Sequence, residues 1–207
     1  MTVLLLDDRW PTLIPLEAIG RLGGAVEFTD EVPVMVRWNI DRLVAGEGPG
    51  VLVSTDERDP RVRARVERGE PVVVAESRRD PVRRAVQAME RACAIGEWEA
   101  AQSHRSLLPY LAEEAQEFAD QVVAWERDGD EQALLAELGD VLLQVLFHAE
   151  IASRRGAFGF GEVAESFVDK LRSRSPYLFD GTTGVVSVEE QERLWAVGKA
   201  RERELPR

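Results

Sequence analysis

Ala136-Glu-Leu-Gly-Asp-Val-Leu-Leu-Gln-Val-Leu-Phe-His-Ala-Glu-Ile151 is apolar almost all round as a helix, yet it carries two carboxylates, Glu137 and Asp140. A helix of that kind is expected to be buried. An ionised carboxylate persists in such a setting only when a cation meets it, because an unpaired buried charge is strongly destabilising. Basic side chains are scarce nearby: Leu111 to Glu150 holds eleven Asp or Glu against one basic residue, Arg127. The segment offers more acid instead, in Glu113, Glu114 and Glu117. Carboxylates gathered without basic partners call for a metal ion.

Helix dimensions test whether the two acidic groups can meet. Leu108, Leu111, Ala115, Phe118 and Val122 recur at helical spacing, which predicts a helix from Ser103 to about Arg127, with Ser103 as its N-cap. Gly129 is a helix stop, and Asp128 followed by Glu131 has the spacing of a capping box for the next helix. The short connection makes the two helices antiparallel. At a rise of about 1.5 Å per residue, Glu117 and Glu137 lie roughly 16 and 14 Å from the turn, and Glu114 and Asp140 roughly 21 and 18 Å. Each pair is spaced i, i+3, so its members leave one helix face together. Four oxygen-bearing side chains can therefore converge between the helices.

An all-oxygen ligand set suits Mg²⁺, with Mn²⁺ as the alternative, and Mg²⁺ commonly completes its octahedron with water and substrate phosphates. A di-iron bundle would need Glu-x-x-His pairs on two helices. Neither His104 nor His148 follows a Glu at that spacing. His148 reads as a satisfied buried histidine, His104 as a structural or exposed one, and Cys93 as an inert apolar side chain.

Composition narrows the partners. The chain has 207 residues and a formal net charge of −12, so its general field repels nucleic acid and anionic membranes, and any phosphate ligand has to be attracted locally. A lone cysteine, the absence of a signal-peptide pattern and of any long apolar run lead us to expect a cytoplasmic protein. Residues 1–76 alternate short β-branched runs with helical stretches: strands at Val3–Leu6, Val32–Trp38, Val51–Ser54 and Val72–Ala75, and helices near Pro15–Leu22 and Pro60–Arg68. That pattern predicts a small α/β unit. It contains no Walker sequence and no G-x-G-x-x-G after a strand. Residues 77–207 turn to helical periodicity, with helices at roughly 79–94, 103–127, 130–154, 160–174 and 187–203. The expected fold class is α+β, with an α/β domain followed by an all-α one.

Glu113-Glu-x-x-Glu117 followed by Glu137-x-x-Asp140 and Val-Leu-Leu-Gln-Val-Leu-Phe-His148 resembles the MazG nucleoside triphosphate pyrophosphohydrolases of the all-α NTP pyrophosphatase superfamily. Gly96-Glu-Trp98, Gln102-Ser-His-Arg-Ser-Leu107, Lys170-Leu-Arg-Ser-Arg174-Ser-Pro176-x-x-Phe179 and Trp195-x-x-x-Lys199 are similar to further segments of that family. The likeness runs from about Gly96 to Ala200. It implies Mg²⁺-dependent hydrolysis of a nucleoside triphosphate to the monophosphate and pyrophosphate, for house-cleaning of the nucleotide pool. It also implies a helical bundle completed by homodimerisation. It makes Glu114, Glu117, Glu137 and Asp140 metal ligands, Glu113 or Glu114 the residue acting on the attacking water, and Lys170, Arg174, Trp195 and Lys199 nucleotide contacts. Ser175 stands where the family commonly has His, and Glu97 where it has Pro, so base preference does not transfer. The competing expectations are a non-catalytic metal-binding or partner-recruiting module and a narrower relative such as a dUTP pyrophosphatase.

Overall fold

Apolar runs near the N-terminus become the strands β1 (Thr2–Leu5), β3 (Val51–Ser54) and β4 (Val72–Val74), joined by a three-residue strand β2 (Val26–Phe28). In the computed structural model, which describes residues 1–44 and 46–204, all neighbouring strands run parallel in the order β2-β3-β1-β4. β1 and β3 are buried along their whole length. Both faces of the sheet are covered, which is why these strands read as continuous apolar runs rather than alternating ones. Leu4, Leu6, Val51, Val53 and Val73 pack on one face with Leu22, Val36 and Ile40, and Val3 and Leu52 pack on the other with Val62. The helices involved are α1 (Val34–Asn39) and α2 (Pro60–Glu67).

Two expectations for this region are corrected. Val32–Trp38, read as a strand, leads into and forms most of α1, with Pro33 at its N-cap and Val36 turned into the core. Proline there fixes the backbone entry while giving up an N–H the first turn does not use. The stretch near Pro15–Leu22, read as a helix, contains only a single 3₁₀ turn, Leu16–Ala18.

The carboxyl ends of the strands are closed by ion pairs. Buried Arg78 donates to the Leu6 and Thr55 carbonyl oxygens at 3.0 and 2.9 Å and to Glu57 at 2.9 Å. Asp7, wholly buried, accepts from the Arg9 backbone and side chain and lies 3.5 Å from Arg83. Glu31 Oε1 accepts from the Thr29 and Ser54 hydroxyls and from the Thr55 and Asp56 backbone. Burial alone would raise the Glu31 carboxyl, but those donors outweigh it and hold the group at about 2.

The first compact unit extends to Ala85, into the first turn of α3 (Pro81–Ile95), and the second begins at Val86. The unit outlasts the change in periodicity after residue 76 because Arg78 and Arg83 are tied to the strand ends. The second unit comprises the rest of α3, then α4 (Glu97–Ala100), α5 (Leu108–Asp128), α6 (Glu131–Ser153), α7 (Phe160–Arg174) and α8 (Val188–Glu204). α5 begins at Leu108 and not at Ser103: Ser103 and Ser106 bond each other in a turn, and Pro109 stands in the first helical turn. Gly129 ends α5 in the left-handed region at φ 71. The N-cap of α6 is Asp130, not Asp128, since Asp130 accepts from the Gln132 and Ala133 backbone.

α6 departs from full burial. Gln144, Leu146, Phe147, Ala149 and Ala152 are enclosed, whereas Leu135, Leu138, Leu142 and Val145 are exposed. Its main neighbour is the antiparallel α5, with a smaller contact to α7, and together they leave part of a helix that is apolar on several faces uncovered.

Candidate functional site

The α5–α6 hairpin brings Glu114, Glu137 and Asp140 together, with one carboxylate oxygen from each lying within 4.8 Å of the others. Glu114 comes from the second turn of α5, and Glu137 and Asp140 leave one face of α6 at i, i+3. Glu117 is outside that trio but sits close enough to act on Glu114. The Glu114 carboxyl is raised by burial and then by the negative charges of Asp140, Glu117, Glu113 and Glu137. Glu113, next to Glu114, is exposed. Of the four expected ligands, the hairpin thus clusters three and leaves the fourth one turn away.

The acids fit a hard divalent cation for two reasons. Glu137 Oε2 is shut off from solvent and has no hydrogen-bond partner among the described residues, which is the condition a buried carboxylate escapes by ligating a cation. The donors are all carboxylate oxygens, which suits Mg²⁺ or Mn²⁺ better than zinc.

The expected nucleotide contacts lie on α7 and α8. Lys170 and Arg174 are one turn apart on α7, and the Arg174 guanidinium lies over the Trp195 ring, 5.0 Å from its centre. Lys199 is exposed, one turn beyond Trp195 on α8. The two helices approach closely at Gly198: a Cβ there would stand 2.5 Å from the Ser173 carbonyl oxygen. Among the described residues the arrangement therefore joins Arg174 with Trp195 directly and sets Lys170 and Lys199 beside them.

Two features escape a reading of the sequence. Glu202 accepts from Arg174 Nε at 3.0 Å and from its Nη2. Its spacing of seven residues from Trp195, on one helix face, was the available signal. His104 and His148 are paired through Nδ1 at 2.8 Å, with Arg155 Nη2 on His104 Nε2 at 2.9 Å. Arginine can only donate, so His104 accepts at Nε2 and, when neutral, donates from Nδ1 to His148. His148 is held down in pKa by burial first and by His104 second. Its Nε2 is shut off from solvent with no partner among the described residues, so the half-buried ring is only half satisfied.

Comparison with known proteins follows the same division. The model of the MazG N-terminal domain matches residues 1–73, and that of the MazG nucleotide pyrophosphohydrolase domain matches residues 102–179. The chain is 39% identical over 212 residues to a nucleoside triphosphate pyrophosphohydrolase of Mycolicibacterium smegmatis, covering 99% of this chain and 64% of that protein. A protein of the same name from Mycobacterium tuberculosis is 39% identical over 210 residues, covering 98% of this chain and 63% of that one. The chain thus spans just under two thirds of the length of these curated relatives. The crystal structure of a mazG-related protein from Thermotoga maritima is 29% identical, with a TM-score of 0.49 over 57% of this chain and 98% of that one.

Proposed function

The chain belongs to the MazG family, and on that premise we propose that it hydrolyses nucleoside triphosphates to the monophosphate and pyrophosphate in cytoplasmic nucleotide-pool house-cleaning. The observation that carries this reading is the trio Glu114, Glu137 and Asp140, drawn from two helices to within 4.8 Å, with Glu137 Oε2 buried and without a hydrogen-bond partner among the described residues. In this reading Glu114, Glu117, Glu137 and Asp140 would hold Mg²⁺, or Mn²⁺. A divalent ion supplies neutralisation of the triphosphate charge and Lewis-acid polarisation of its oxygens. The chain's own residues do the rest. Lys170, Arg174 and Lys199 bind the polyphosphate, and Trp195 packs on Arg174 and on the nucleotide. Glu113 or Glu114 orients a water and takes its proton as the water oxygen bonds to the α-phosphorus. The bond from that phosphorus to the α–β bridging oxygen breaks, and pyrophosphate leaves with the electron pair.

Homodimerisation completes the proposal. Leu135, Leu138, Leu142 and Val145 follow one another at intervals of three, four and three residues on the open face of α6, a spacing suited to pairing with another helix. A second copy covering this face would restore the burial that α6 is composed for. Replacing Leu138 and Leu142 by Asp should then give a monomer in sedimentation, while a native chain that sediments as a monomer with full activity would refute the dimer.

The activity itself is tested by incubating the protein and Mg²⁺ with each of the eight common ribo- and deoxyribonucleoside triphosphates and separating the products. Monophosphate with pyrophosphate is expected. Diphosphate with orthophosphate, or no turnover of any of them, would contradict the reading.

A further inference from the structure

Arg174 is restrained on three sides. Glu202 takes its Nε at 3.0 Å and its Nη2 in a side-on fork, and Trp195 supports one face at 5.0 Å. The helix backbones behind it are pressed together at Gly198, where a Cβ would stand 2.9 Å from the Arg174 Cα. Trp195, Gly198 and Glu202 share one face of α8, so the close approach at Gly198 sets the aromatic ring and the carboxylate in register with Arg174. Both members of the ion pair are partly enclosed, with side-chain exposures of 17% and 34%. The remaining Nη1 of Arg174 has no hydrogen-bond partner among the described residues, and it is the edge left to an incoming anion.

We propose that Glu202 is a positioning residue: it holds Arg174 side-on against Trp195 so that the free Nη1 edge is presented to the substrate's polyphosphate. The inference rests on the reading of α7 and α8 as the nucleotide-contacting pair. Its physical basis is preorganisation. A free arginine loses much rotamer freedom when it binds a phosphate, and a guanidinium already fixed by a two-point charge-assisted contact has lost it beforehand. Glu202 touches Arg174 and not the substrate, so its effect falls on binding.

Calorimetry of the full chain with Mg²⁺ and a non-hydrolysable α,β-methylene nucleoside triphosphate tests this directly. Glu202→Gln keeps the shape and removes the charge, and should weaken binding by about three- to tenfold. In an Arg174→Ala background the same substitution should change nothing, because Glu202 acts through Arg174. Kinetics of Glu202→Gln should show KM raised by a similar factor, with kcat within about twofold of the native value. Unchanged affinity in Glu202→Gln, or an equal loss with and without Arg174, overturns the proposal. Tighter binding overturns it too, since Glu202 would then be competing with phosphate for Arg174. A native chain that binds the analogue but turns over no nucleotide refutes the hydrolase reading and leaves this inference standing. One that does not bind the analogue refutes both.

Discussion

In the α/β unit, Arg78, Asp7 and Arg65 are buried and each meets an opposite charge, Glu57, Arg9 and Glu27 respectively. On the α5–α6 hairpin the opposite holds: Glu114, Glu137 and Asp140 meet one another, and Glu114 is shifted upward by burial and then by its acidic neighbours. Paired charges close a fold, because each partner satisfies the other's hydrogen-bonding capacity as it leaves water. Gathered like charges do the reverse and store repulsion that an added cation relieves. The same kinds of side chain thus serve structure in one unit and form a candidate cation site in the other.

Single substitutions separate the two cases. Asp140→Asn should cost at least about a hundredfold in pyrophosphate release, comparable to deleting a group that stabilises transition-state charge. It should leave circular dichroism unchanged and raise the melting temperature slightly in metal-free buffer, because one repelling charge is gone. A variant that keeps near-native turnover would end the comparison. Arg78→Ala should instead cost about 2–3 kcal/mol in urea unfolding by stranding the Leu6 and Thr55 carbonyls, with kcat of the surviving folded protein unchanged. Gly198→Ala pushes a Cβ onto the α7 backbone, and should lose about 1–3 kcal/mol together with nucleotide affinity, since the same contact sets Arg174 and Trp195 in register. Stability and function are expected to part at Arg78 and to fall together at Gly198.

Acid gives the mildest test. Glu31 is held at about 2 against an ordinary 4.5, so it binds protons less readily folded than unfolded. Its stabilisation is complete above pH 4.5 and is lost as the pH falls from there towards 2. Asp7, also lowered, acts in the same direction. Glu114, raised by burial and then by its acidic neighbours, acts in the opposite one. Hydrogen exchange between pH 5 and 3, in the range around the usual carboxylate values, should therefore loosen β1 and β3 before the α5–α6 hairpin. Loss of the hairpin first would contradict the pairing described for Glu31 and Asp7.

Much of the hairpin was legible in the sequence because its determinants are local. Gly129 stops a helix by needing a left-handed backbone, and i, i+3 spacing puts Glu137 and Asp140 on one face whatever else the chain does. The mistakes fall where tertiary context decides. Val34-Met-Val36 has β-branched residues, yet Pro33 starts a helix there and Val36 turns into the core. Val26-Glu-Phe28 is too short to show a period, and becomes a strand through its pairing with β3. Complete burial of α6 is what its composition predicts, yet Leu135, Leu138, Leu142 and Val145 are exposed, because composition does not say which faces of a helix have neighbours. The spacing of Glu202 from Trp195 puts both on one face of α8, but their meeting with Arg174 depends on the register of α7 against α8, set by Gly198, which that spacing does not encode.

The claim on which the rest depends is that the acids of the α5–α6 hairpin take up a divalent ion. Electron paramagnetic resonance of Mn²⁺ follows this without substrate or turnover, because the signal of the free hydrated ion falls as the ion is bound. Native protein should deplete the free signal, excess Mg²⁺ should restore it, and Glu137→Gln with Asp140→Asn should abolish the uptake while the chain remains folded. A free Mn²⁺ signal that is unaffected by native protein, or depleted equally by the double variant, would contradict the account.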